Sequence, residues 1–166
     1  MKAGTGFRTH PHQDMEIVTW VLDGELEHQD SEGNKGILYP GLAQRMSAGT
    51  GIRHSEMNPR ADQEVHFIQM WVVPDTRRIA PGYQQLDVNG QLAKGGLVPV
   101  ASGKGHNSAI SIHQKGAALW AGRLQPVDLA LHRLGEAGVK AQLVAQCAQP
   151  IGDDAGHFGQ QLDGDL

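Results

Sequence analysis

One phrase occurs twice in the chain and ends both times in a pair of metal-capable side chains. Ala3-Gly4-Thr5-Gly6 is followed by Phe7-Arg8 and then by His10 and His12. Ala48-Gly49-Thr50-Gly51, 45 residues later, is followed by Ile52-Arg53 and then by His54 and Glu56. Successive side chains of a strand point to opposite faces, so residues i and i+2 share a face about 7 Å apart. His10 and His12 meet that condition with Pro11 turned away, and His54 and Glu56 meet it with Ser55 turned away. Two such pairs on neighbouring strands would surround a cation with three nitrogens and one carboxylate. The glycines of each lead-in allow tight backbone turns. A single His-x-His is more often a polar strand face, and a single His-x-Glu is weaker still; the two together, behind matching lead-ins, favour one shared site. A phosphate cradle is rejected, because neither stretch is followed by Gly-Lys-Ser/Thr or by a clear helix.

The surrounding pattern is that of strands. Residues 16–22 (EIVTWVL) are β-branched and aromatic, and Asp23-Gly24-Glu25 turns them. Residues 25–30 (ELEHQD) read as a half-exposed strand, 31–36 (SEGNKG) as a hairpin loop, and Tyr39-Pro40-Gly41 as a turn. Residues 64–73 (EVHFIQMWVV) form the strongest strand signal. Strands at this spacing, with no 3.6-residue apolar period between them, predict an all-β barrel or sandwich. Residues 74–85 read as a linker. Beyond them GLVPVAS, AISIHQ and AALWAGRL supply three further strand candidates, and the run LALHRLGEAGVKAQLVAQCAQ reads as partly helical by propensity. The last residues, from Ile151, read as exposed loop.

Composition removes several function classes. The 166 residues fit one domain, or one domain and part of a second. Net charge is −4 and no cluster of five or more basic residues occurs, which argues against nucleic acid as a partner. No apolar run approaches the length of a membrane span, and the first residues do not read as a secretory signal. The single cysteine, Cys147, allows no internal disulfide and has no basic or histidine neighbour to activate it. The expectation is a cytoplasmic protein. His28, between Glu27 and Gln29, reads as a solvated strand residue. His66 reads as a satisfied core histidine, with support of the metal ligands as its alternative. His106, His113, His132 and His157 have no partner at ligand spacing, and Trp20, Trp71 and Trp120 read as core.

The spacing Gly4-x5-His10-x-His12-x3-Glu16, closed by Gly24, resembles the first cupin motif. Gly51-x2-His54-x3-Asn58, with Tyr39-Pro40-Gly41 upstream, resembles the tail of the second. More narrowly, residues 9–34 (THPHQDMEIVTWVLDGELEHQDSEGN) and 46–56 (MSAGTGIRHSE) resemble the pirin family, whose bacterial members include proteins with quercetin dioxygenase activity. The likeness runs from about Gly4 to Gln85. It implies a bicupin of jelly-roll barrels, here with an N-terminal barrel lacking its first strands and a partial second barrel. Residues 1–73 would be the N-terminal cupin domain, 74–86 a linker, and 87–166 a partial C-terminal cupin-like domain. The family's metal ligands fall on His10, His12, His54 and Glu56.

The implied cofactor is one divalent metal, Fe(II) first, with Mn, Ni, Co, Cu or Zn as substitutes for these donors. A metal with open positions in an apolar barrel suits a dioxygenase acting on a flavonol and dioxygen. A carboxylate at the site, Glu56 or Glu16, could take the flavonol proton. Glu56 is the expected catalytic carboxylate as well as a ligand; Glu16 is its rival for completing the metal shell, as in the general cupin pattern. Two other readings stay open on the sequence. One is a non-enzymatic, metal- or redox-dependent regulator that binds a protein partner. The other is an inactive truncated fragment.

Overall fold

The computed structural model describes residues 1–124 and 142–147. Twelve strands and one short helix run in the order β1 (Gly6–His12), β2 (Glu16–Asp23), β3 (Leu26–Asp30), β4 (Lys35–Leu38), β5 (Leu42–Ser47), β6 (Ile52–Met57), β7 (His66–Val72), β8 (Gly82–Asp87), α1 (Asn89–Leu92), β9 (Val98–Ser102), β10 (Ile110–Ser111), β11 (Ala118–Leu124) and β12 (Gln142–Cys147). They form three four-stranded sheets, ordered β1-β6-β3-β4, β7-β2-β5-β8 and β10-β9-β11-β12. The expected all-β class holds.

Strand β2 explains how the sheets stack. Its residues are buried from Glu16 to Val21, so both of its faces are covered. Val18 and Trp20 pack with Val98, Val100, Ile110, Ile112 and Leu119 of the third sheet. Ile17 and Val21 face the other way, toward the first sheet. Ile17 joins Met46, Ala48 and Ile52, whereas Val21 joins Leu26, Leu38, Leu42 and Val65. The barrel between the first two sheets is therefore closed at each end by an apolar cluster. The residues between the clusters on the same faces are polar: Thr19 on β2, Gln44 on β5, His54 and Glu56 on β6, and His28 on β3. All five are buried. A polar layer sandwiched by apolar ends is the setting of the site.

Several expectations need correction. Residues 82–87, read as the end of a linker, form β8 and pair with β5 from Leu42↔Asp87 to Ser47↔Gly82. Prolines and glycine in 74–82 gave the segment a loop composition, yet after Gly82 the backbone pairs with the open edge of β5. Residues 142–147, read as partly helical, form β12, parallel to β11. Cross-strand pairing there outweighs the helix preference of Gln, Leu and Ala; the rest of that run and the C-terminal tail lie outside the described residues. Trp71, expected in the core, is 60% exposed. On β7 it is Ile68, Met70 and Val72 that pack against the third sheet, and Trp71 alternates to the opposite face. His66, expected in the core, is exposed at the start of β7. Among the described residues, no helix is long and apolar enough to cross a membrane.

Candidate metal centre

The two repeated phrases meet. Strand β1 pairs antiparallel with β6, with His10 opposite His54 and His12 opposite Ile52. Directly opposed residues share a face, so both histidines of β1 join His54. A bulge between Phe7 and His10 sets this phase. Gly6 lets β1 lie this close: a Cβ there would stand 2.3 Å from the Glu56 carbonyl oxygen and 2.7 Å from Met57 Cα. In the second phrase Gly49 takes φ +48 against the Ile79 carbonyl, turning the chain from β5 into β6.

Three imidazoles converge. The ring centroids of His10 and His54 are 4.4 Å apart, those of His10 and His12 4.9 Å, and those of His12 and His54 5.0 Å. One ring nitrogen from each lies within 4.8 Å of the others, the span expected of donors to a single ion. His10 Nδ1 donates to the Arg8 carbonyl at 2.8 Å, which leaves Nε2 with its lone pair free. His12 Nε2 and both ring nitrogens of His54 are buried without a hydrogen-bond partner. An unpaired buried polar atom costs about 1–3 kcal/mol, so several in one place call for a bound group. Burial, with His10, His28 and His12 nearby, lowers the His54 pKa to about 3. His12 is lowered too, by burial and then by His10. Both are therefore neutral at pH 7, the form that binds metal.

Glu56 is placed differently from its expected partners. It is 1% exposed and pairs across β6 with Phe7 on one side and His28 on the other. Its carboxyl lies with His28 and His54 in a second group whose donor atoms are within 4.8 Å of one another. Gln69 Nε2 donates to Glu56 Oε1 at 2.6 Å, and Trp71 Nε1 donates to Gln69 Oε1 at 3.1 Å. The indole can only donate, so it fixes which way the Gln69 amide faces. Glu56 Oε2 remains buried and unpartnered. Burial raises the Glu56 pKa to about 7 despite the Gln69 bond.

Glu16 belongs to neither group. It points from β2 toward the third sheet, where its Oε2 accepts from the His113 backbone N–H at 3.1 Å and sits 3.9 Å from Arg45 Nη1.

His28 is the site residue that sequence reasoning misplaced. It is 1% exposed, not solvated, and its ring centroid is 5.5 Å from that of His54. Glu27 and Gln29, whose polarity suggested solvent, point to the opposite face. The usable signal was alternation from Leu26, which shares its face with His28 and is fully buried.

A cleft of about 410 Å³ opens beside His12, lined also by Gln13, Ser31, Thr50 and Arg53. A second cavity, about 350 Å³, lies between β7 and the third sheet, and none of the candidate donors lines it.

Comparison with known proteins places this arrangement. The family model described as Pirin matches residues 1–72. A putative quercetin 2,3-dioxygenase of Zymomonas mobilis is 38% identical over 159 residues, which cover 92% of this chain and 67% of that protein. The chain belongs to the pirin family. Among other pirin relatives, a putative quercetin 2,3-dioxygenase of Mycobacterium tuberculosis is 57% identical, covering 76% of this chain and 52% of that protein. The crystal structure of the bacterial pirin YhhW of Escherichia coli in complex with nickel(II) matches at TM-score 0.62 and 45% identity, covering 69% of this chain and 48% of that one. This pirin chain thus spans about half the length of several curated relatives it matches.

Proposed function

We propose that this pirin binds one divalent metal through His10, His12, His54 and Glu56 and, so loaded, cleaves a quercetin-type flavonol with dioxygen. The observation that carries the reading is the convergence of three imidazoles where β1 crosses β6. The quercetin dioxygenase names of the relatives and the nickel in a related pirin support it. Donor chemistry suits Fe(II), and the related structure makes nickel its first rival.

When bound, the metal supplies a Lewis acid for the flavonol hydroxyl and the partner that dioxygen requires. The chain's own groups do the rest. His10 is held by the Arg8 carbonyl, which accepts from Nδ1 and so orients the ring with Nε2 as the atom left for a metal. Glu56, the carboxylate at the site, can take the flavonol proton while Gln69 holds its Oε1. Trp71, exposed and 5.1 Å from the His12 ring, offers a flat apolar surface for an aromatic substrate entering beside His12.

The test is to purify the chain without oxygen, load it with Fe(II) or Ni(II), and follow dioxygen uptake and flavonol absorbance together. Stoichiometric consumption of both supports the reading. One tightly bound metal per chain with no consumption of either sinks the enzymatic claim.

A further inference from the structure

The second donor group was not expected from the sequence, and it is more completely built than the first. His28, His54 and Glu56 are each 1% exposed. Each presents a buried atom with no hydrogen-bond partner: His28 Nδ1, the ring nitrogens of His54, and Glu56 Oε2. The register puts them together, with Glu56 opposite His28 and His54 opposite Asp30 on adjacent strands.

His28 has the arrangement of a metal-binding histidine. Its Nε2 lies 3.1 Å from Asp30 Oδ2. Asp30 is itself fixed, accepting from the backbone N–H groups of Glu32 and Asn34 and from the Asn34 side chain. A carboxylate so anchored holds the proton on His28 Nε2 and leaves the Nδ1 lone pair facing His54 and Glu56. Histidines that bind metals are oriented by outer carboxylates in this way. Charge agrees: Glu56 among the donors and Asp30 behind His28 together balance a dication.

We propose that His28, His54 and Glu56 form an inner divalent-cation position, deeper in the barrel than the one bounded by His10 and His12. A neutral imidazole has one lone pair, so His54 serves one ion at a time. The chain therefore binds a single metal in either of two positions that share His54 and Glu56: an outer one at the cleft beside His12, and an inner one closed from solvent. The inference rests on the reading of the site as a metal centre and adds His28 to its donors.

Cobalt(II) titration, with metal content measured after gel filtration, separates the alternatives. His10 and His12 are only half-buried, so the double variant H10A/H12A should unfold as cooperatively as wild type when metal-free. It is expected to keep one cobalt per chain, with a visible spectrum changed from that of wild type. Adding H28A to it should weaken binding by more than roughly 100-fold, beyond the loss usual for an outer partner. Cobalt in wild type but none in the folded double variant overturns the inner position while leaving the proposed function standing. So does a double variant whose affinity H28A leaves unchanged. No cobalt in wild type overturns the metal reading itself, and the inner position with it.

Discussion

Replacing Glu56 by glutamine keeps the side chain's shape and removes its charge. In the metal-free fold, burial holds the Glu56 pKa at about 7 against an ordinary 4.5. At about 1.4 kcal/mol per tenfold change, that gap is worth about 3 kcal/mol once the group is ionised. The native state holds the proton more tightly than the unfolded chain, so through this group stability falls as pH rises from 4.5 to 7 and stays low above. Glutamine escapes the cost and can still accept from Gln69 Nε2, although a neutral acceptor is weaker by about 1 kcal/mol. The metal-free Glu56→Gln chain should thus be about 2–3 kcal/mol more stable than wild type at pH 8, with the advantage gone by pH 4.5. Urea unfolding in a chelator, at pH 8 and pH 4.5, measures it. A divalent metal at 100 times its Kd adds about 2.7 kcal/mol to whichever chain binds it. Saturating metal should therefore close the gap in favour of wild type. Equal stabilities at pH 8, or a difference that does not vary with pH, would refute the account of Glu56 as a buried carboxylate retained at a cost for its ligand.

Three further outcomes can be checked. His54, held near 3 by burial, stays neutral well below the free-histidine value of 6.5; bound metal should survive mild acid and leave with a midpoint below pH 6.5, and a midpoint at or above 6.5 contradicts that. Gly6→Ala drives a Cβ into the β6 backbone, so it should cost about 1–3 kcal/mol and weaken metal binding as β1 moves, whereas Gly36→Ala, with nothing within 4 Å, should be silent in calorimetry and metal titration alike. Glu16→Ala breaks the buried contacts to Arg45 and His113 and should destabilise the chain by about 3 kcal/mol while leaving metal affinity within roughly tenfold; Glu56→Ala should abolish tight binding, and the reverse ranking in isothermal titration would restore Glu16 as the metal's carboxylate.

The strands were legible wherever alternation and turn residues agreed. Residues 16–22 and 64–73 gave β2 and β7, and Asp23-Gly24 gave the turn from β2 into β3, with Gly24 at φ +78. The meeting of His10, His12 and His54 was legible because the repeated lead-in marked two segments of one kind. What escaped was decided by tertiary neighbours. His28 was judged by the residues beside it in sequence, and in a strand those face the other way. Trp71 was judged by its size, but the packed face of β7 had already gone to Ile68, Met70 and Val72. The position of Glu56 relative to the histidines depends on a glutamine thirteen residues further along, and no local pattern announces Gln69 as its partner.

The pairing of β1 with β6 has a consequence for kinetics. His10 and His54 are brought together only by closing the long stretch of chain between them, through β2, β3, β4 and β5. An ion bridging both strands acts as a reversible cross-link across that loop. By the chain-entropy relation such a link is worth about 4 kcal/mol against the open chain. The unfolded chain keeps only the local pairs, His10 with His12 and His54 with Glu56, so the bridging ion arrives late, after the strands have met. It can do little to hasten folding, and its effect falls on escape from the native state. The metal would then set how long the barrel lasts, with the folding rate left to the strands.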